Sequence, residues 1–345
     1  MNSLRHQILQ GYGGSSPFVG CALFLGVWGI VPIVLFVAVF GCSKPAKKLY
    51  TIGVFQFNSN PLLDATREGF VKALKDAGYE DSINIKLDFR NAQGDISTSQ
   101  LIVRKFVQDE VDMICAISTP CLQSAINATE KIPIIFGAIA NPYRVGAGQD
   151  SINHRANVTG ASSPSPIRVG MELLLEVVPD AQRVGTLWNP TEENSQYDIE
   201  RARNVSKELG LELIDLPVTA SSEVLMSAQA LAEKRIDAIL QILDNVVCSS
   251  IESEIKTANE NHIPLLTLDP IYAEKGVCVG IGWDYFENGY KSGKLAIRVM
   301  RGERPAVIPF QSLEVVKLNI NLKAAELQGV SFPKSVLERA DKIIE

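Results

Sequence analysis

Histidine is nearly absent from this chain, with His6, His154 and His262 the only three among 345 residues. A zinc site therefore has few ligands to draw on, and no Cys-x-x-Cys pair supplements them. Basic clusters are missing too. No run of Lys or Arg exceeds two, the formal net charge is -6, and nothing offers a face for a nucleic-acid backbone. The chain has no Gly-x-Ser-x-Gly nucleophile elbow and no phosphate loop ending in Gly-Lys-Ser/Thr. Its glycine cluster near a strand end, Gly280-Ile281-Gly282, runs into Trp283-Asp284 rather than a dinucleotide-type helix. His154 lies in a polar loop and His262 precedes a strand, so neither is placed as a general base. These gaps argue against an enzyme and imply no cofactor.

One stretch lacks charge altogether. From Cys21 to Cys42 there is no charged side chain, with Arg5 and His6 upstream and Ser43-Lys44-Pro45-Ala46-Lys47-Lys48 downstream. This is the order of an export signal, and a cysteine directly after Gly41 adds lipid attachment at Cys42. Residues 1–41 are then a signal peptide and 42–49 a lipidated tether. An uncleaved anchor is the alternative, since about 20 apolar residues span a bilayer. Either way the remainder is expected outside the cytoplasm, held at a membrane. Cys115, Cys121, Cys248 and Cys278 remain and are expected as buried thiols, a Cys115–Cys121 disulfide being the alternative in an oxidising compartment.

About 300 residues follow, enough for two domains. Apolar runs and helical periodicities alternate: strands at 49–55, 83–89, 113–117 and 132–136, helices at 62–78, 96–108 and 121–128. The pattern restarts with strands at 183–189, 211–216, 238–242 and 264–268 and helices at 193–209, 224–232 and 246–259. Two similar runs of parallel βα units imply two lobes of one architecture. Residues 161–166, rich in Ser and Pro, read as a crossing between them; 286–300 adds a helix and 306–318 extended segments that return to the lobes. The expected division is 50–163 with 285–308, and 164–284 with 309–345.

Ligands in such sheets bind beyond the carboxyl ends of the strands, where helix N-termini converge. Those ends carry Gln56, Phe57, Asn58, Ser59 and Asn60, then Ser118 and Thr119 before Pro120, then Ala140 and Asn141. In the second run they carry Asn189, Glu193-Asn194-Ser195, Asp244-Asn245, Asp269 and Asp284. Ser118 and Thr119 stand at a positive helix end suited to a carboxylate. The acids Asp244, Asp269 and Asp284 are suited to an ammonium. Strand alternation allows one of Phe55 and Phe57 to face a ligand's apolar side chain.

Several motifs carry a family likeness. Gly53-Val54-Phe55-Gln56-Phe57, the run from Asn60 to Phe70, Asn91-Ala92-Gln93-Gly94-Asp95, Asn157-Val158-Thr159-Gly160, Val184-Gly185 through Asn189-Pro190, Glu193-Asn194-Ser195, Asp244-Asn245 and the run from Asn319 to Ala325 resemble the tryptophan/tyrosine-type substrate-binding lipoproteins of ABC transporters. The resemblance runs from about Tyr50 to the C-terminus. It implies an α/β, two-lobed periplasmic-binding-protein-like fold (type I), each lobe a parallel sheet flanked by helices, with the ligand cleft between lobes joined by several strands. It also implies a separate permease and ATPase as partners. The family's pocket falls here on Gln56, Phe57, Thr119-Pro120, Asn194-Ser195, Asp244-Asn245 and Asp284. The chain departs from the family at Cys121, where a small residue or serine is usual, at Asn141-Pro142 in place of Asp-Pro, and at Asp284-Tyr285-Phe286 in place of Asp-Tyr-Tyr. The first two departures bear on the ligand rather than the fold. The expected function is delivery of a small zwitterionic solute, an aromatic or other large apolar amino acid, to an importer. A ligand-sensing receptor without a transport role is the second reading.

Overall fold

The computed structural model describes residues 48–345, so the expected signal peptide and the expected lipidation site Cys42 lie outside the described residues. The first run is β1 (Tyr50–Gln56), α1 (Pro61–Asp76), β2 (Ile85–Asn91), α2 (Ile96–Gln108), β3 (Met113–Ile117), α3 (Thr119–Ala128), β4 (Ile134–Ile139) and β5 (Val158–Ser162). The second is α4 (Ile167–Val177), β6 (Arg183–Trp188), α5 (Glu193–Glu208), β7 (Glu212–Pro217), α6 (Val224–Glu233), β8 (Ala238–Gln241), α7 (Asn245–Cys248), α8 (Ile251–Asn261), β9 (Leu265–Thr267) and β10 (Val279–Trp283). α9 (Tyr285–Met300), β11 (Gln311–Ser312), β12 (Val316–Asn321), α10 (Leu322–Leu327), α11 (Lys334–Glu338) and β13 (Lys342–Ile344) complete the chain.

The strands form two sheets, ordered β11-β5-β4-β3-β1-β2 and β13-β12-β10-β9-β8-β6-β7. All pairings are parallel except β10 with β12. Every residue of β3 is buried, as are residues 52–56 of β1, because helices cover both faces of these sheets. α2 shows how: Ser99, Val103 and Phe106 are its buried positions, three to four residues apart on one stripe. Phe106 lies so close over Gly53 that a Cβ there would sit 2.7 Å from the ring. Phe55 meets Phe106 edge-on at 5.8 Å between centroids and is a core residue.

Several boundaries differ from the sequence reading. Residues 158–162 form a strand inside the first sheet, where 161–166 reads as a crossing; only 163–166 connects. The helix expected at 246–259 is two helices, broken at Ser249-Ser250. The strand expected from Ile83 begins at Ile85, and Ile83 is exposed. Helix α3 begins at Thr119 rather than Cys121. Cys115, Cys121, Cys248 and Cys278 are buried free thiols, so the Cys115–Cys121 disulfide does not form. Among the described residues no helix is long and apolar enough to cross a membrane, and no cluster could hold a metal.

In each sheet the strand order reverses beside the first strand of its run: between β1 and β3, and between β6 and β8. Loops leave in opposite directions at such a point and open a crevice. The chain passes between sheets at 163–166, at Asp284 and at 313–315. Trp283 Nε1 ties two of these crossings together by donating to Pro164 O at 2.7 Å.

Helix α9 returns from the second sheet to lie on α1. Glycines set the spacing: a Cβ on Gly289 would be 1.8 Å from Thr66 O, and one on Gly69 2.0 Å from Phe286 O. A side chain on either would force the helices apart, because both obstacles are backbone. Overpacking of this kind costs about 1–3 kcal/mol or more. Gly289→Ala is therefore expected to lower the unfolding free energy measured in urea by that amount. A variant as stable as the parent would mean the helices do not approach this closely.

Candidate functional site

The two switch points face each other, and the residues that end β1, β3, β6 and β8 meet between them. On the first lobe Asn60 caps α1 by accepting from Leu63 N at 2.9 Å, with Pro61 at the first helical position. Asn60 Nδ2 also donates to Asn58 Oδ1 at 3.0 Å, which orients Asn58 across the seam. Ser118 follows β3 with φ of 90°, a left-handed conformation that a serine seldom adopts and that functional sites often hold. On the second lobe Asp244 caps α7, accepting from Val247 N at 2.9 Å and from Asn189 N at 2.8 Å. Asn189 N is shared with Ser195 Oγ at 2.9 Å.

Asn245 is the centre of the seam. Its carbonyl accepts from Asn58 Nδ2 at 2.7 Å, and its Oδ1 accepts from Ser118 Oγ at 3.1 Å. Its own Nδ2 donates to Glu192, which also accepts from Asn189 Nδ2 at 3.1 Å. At the rim Arg144 of the first lobe pairs with Glu193 and, at 2.6 Å, with Glu200, both on α5. The cavity left between the walls is about 30 Å³, lined by Ser118, Ser163, Asn194, Asp244, Asn245 and Tyr285 among others. That is room for about one water. Two polar atoms at this cavity, Ser163 Oγ and Asn194 Oδ1, have no hydrogen-bond partner.

Acid without counter-charge is the electrostatic theme. Glu192 and Asp244 are both about 1% exposed. Burial pushes Glu192 up to about 8, helped by the nearby Asp244 carboxylate and opposed by its amide donors. Burial raises Asp244 as well, against the pull of the donors that cap it. Asp198 on α5 rises to about 6 through burial, restrained by Ser165 and Arg201. Glu254 on α8 is raised well above the carboxylate range, and neither of its oxygens has a partner.

The expected site residues fall into three groups. Ser118, Asn194, Asp244 and Asn245 come together at the cavity. Thr119 and Ser195 lie one position behind, buried next to residues that line it. Gln56 stands further back, donating to Asn58 O and to Asp64 Oδ1, each at 2.8 Å, and accepting from Arg67 at 2.6 Å. Phe57 is buried in the apolar core. Asp284 is exposed and caps α9, accepting from Glu287 N at 3.1 Å; it lines a different groove of about 330 Å³ with Asp269 and Trp283. Glu192, Ser163 and Tyr285 are the residues that sequence reasoning passed over. Glu192 stands beside the expected Glu193, and only its fully buried side chain distinguishes the two.

Residues 51–344 match the family described as ABC transporter substrate binding protein, and the chain belongs to it. It is a binding protein, not an enzyme. A curated relative from Clostridioides difficile (strain R20291), named tyrosine-binding protein, is 38% identical over 289 residues, 83% of this chain and 84% of that one. An ABC domain from Streptococcus pneumonia solved in complex with L-Trp is 29% identical and superposes with a TM-score of 0.82, covering 86% of this chain and all of that one. A ligand-free, open substrate-binding protein from Clostridium difficile is 34% identical but superposes at only 0.64, covering 86% and 99%. The nearer sequence gives the poorer superposition. In this chain the two walls meet, with Asn245 bonded to Asn58 and Ser118 across a cavity of about 30 Å³.

Asn245→Ala would strip Ser118 and Glu192 of their partner. A buried polar group left unsatisfied costs about 1–3 kcal/mol. The urea midpoint of the ligand-free protein is expected to fall accordingly, with the slope unchanged. An unchanged midpoint would show that the seam is not formed in solution without ligand.

Proposed function

We propose that this chain is the extracytoplasmic solute-binding component of an ABC importer, binding a small zwitterionic amino acid with an aromatic or large apolar side chain. The observation that carries the reading is the opposition of Asp244, buried on one wall, to the N-terminus of α3 on the other. The ammonium of the ligand is assigned to Asp244 and its carboxylate to Ser118 with Thr119, where the first amides of a helix and its dipole favour an anion. Supporting it are the named tyrosine-binding relative and the relative solved with L-Trp. A cavity of about 30 Å³ does not hold such a ligand, so the lobes must part to admit it.

Magnitudes favour an ionic contribution. An aromatic side chain buries about 150–250 Å², or about 4–6 kcal/mol at 25 cal/mol per Å². Association costs on the order of 4–15 kcal/mol. Apolar contact alone leaves little affinity, and both charged ends of the ligand must contribute.

Calorimetry with L-tyrosine and L-tryptophan tests this directly. Removing one partner of a buried charged hydrogen bond costs about 2–5 kcal/mol, roughly 30-fold to several-thousand-fold in affinity. Asp244→Ala is expected to show that loss and Asp284→Ala to bind like the parent. If Asp244→Ala binds within about threefold of the parent, the zwitterion assignment fails.

The reading includes export and a lipid on Cys42, which would hold the binding domain beside its permease and ATPase. Intact mass of membrane-extracted protein is expected to give a chain beginning at Cys42 with added lipid. A chain still carrying residues 1–41 would contradict it.

A further inference from the structure

The cleft wall buries two carboxyl groups, Glu192 and Asp244, which share a single scaffold of amides. Asn189 donates to Asp244 through its backbone N at 2.8 Å and to Glu192 through its side chain at 3.1 Å. Asn245 follows Asp244 in sequence and donates to Glu192 from its own side chain. Among the described residues, neither acid forms an ion pair with lysine, arginine or histidine. The charged and titratable groups around them are acids, thiols and a phenol: Asp198 on α5, Cys248 on α7, Glu254 on α8, Cys121 reaching Glu192 from α3, and Tyr285 lining the cavity. The nearby cations are engaged elsewhere, Arg201 with Asp198 at 3.4 Å and Arg144 with Glu193 and Glu200 at the rim. Two carboxylates this desolvated and this close in the network do not both stay ionised without a cation.

From this geometry we infer that the Glu192–Asp244 pair holds one proton in the empty protein and releases it to solvent when a ligand's ammonium enters the cleft. The inference rests on the amino-acid reading above and adds Glu192 to it. Before binding, the pair carries one negative charge and one proton. On capture the O–H bond breaks, the proton leaves to buffer, and the dicarboxylate faces the ammonium; Asp244 lines the cavity, and Asn245 links Glu192 to it. The titration of such a pair belongs to both acids together.

The sign follows from linkage. Glu192 is raised above its ordinary value, so the empty fold is favoured below that value and loses stability as pH climbs towards about 8. Binding runs the other way, because the ligand selects the deprotonated pair. Affinity is expected to fall by up to about tenfold for each unit of pH lowered from 8 to 6.

Two measurements test it, each on the parent protein and on Glu192→Gln. Calorimetry of L-tyrosine or L-tryptophan at pH 6.5, in buffers of different ionisation enthalpy, is expected to show about one proton released per ligand. Glu192→Gln should bring that count near zero and flatten the pH dependence, an effect a purely structural role would not produce. Binding without proton release overturns the inference. Independently of any ligand, carbon NMR titration of the side-chain carboxyls in the empty protein is expected to show a group titrating near or above neutral pH that disappears in Glu192→Gln. Should neither amino acid bind, the amino-acid reading fails while this titration still decides the pair. If both acids titrate in the ordinary carboxylate range, the shared proton is refuted.

Discussion

A carboxylate removed from water has to meet a cation, share a proton or be surrounded by donors, and the second lobe's wall is built around that requirement. Asp244 and Glu192 are desolvated together at the switch point of the second sheet. Asn189 donates to both of them, and Asn245, next to Asp244 in the chain, donates to Glu192, so the loops after β6 and β8 are tied together. Asn245 then reaches across to Asn58 and Ser118, which makes the first lobe's wall part of the same network. A cation arriving between the walls would answer the charge that the protein leaves unbalanced.

That arrangement is useful only if the walls separate and return in register. Three crossings join the lobes, and Trp283 fixes two of them to each other, so rotation about them preserves alignment better than a single tether would. Within the first lobe, the backbone-to-backbone contact of α1 with α9 at Gly69 and Gly289 anchors the helix that follows the Asp284 crossing. At the opposite edge Arg144 meets Glu193 and Glu200 near the surface, where solvent screening keeps such pairs to about 0–1 kcal/mol each. Such pairs would bias a closing motion without locking it.

Much of this is legible in the sequence. The alternation of apolar runs with helical periodicities marks two sheets, and the polar residues after each strand mark one edge of each. Asp244 and Asn245 stand out because the strand before them is apolar, and the structure brings them to the cavity with Ser118 and Asn194. What failed was information that only packing supplies. Ala161-Ser162 belongs to the Ser/Pro-rich stretch that reads as a crossing, yet it ends a strand, 158–162, that pairs with β4 and β11 in the sheet interior. Glu192 and Glu193 are identical in type and adjacent; one is buried against Asn245 and the other meets Arg144, which no local pattern distinguishes. Asp284, an acid at a strand end like Asp244, turns outward to cap α9 because the chain there is already crossing lobes.

The account depends on a cleft made for a zwitterion with a bulky apolar side chain. Its most direct test is to purify the exported protein from cells that make it naturally, without unfolding, and identify by mass spectrometry whatever is released on denaturation. The account predicts an amino acid with an aromatic or large aliphatic side chain, in a ratio near one per chain. A sugar or a dianion recovered at that ratio would contradict it.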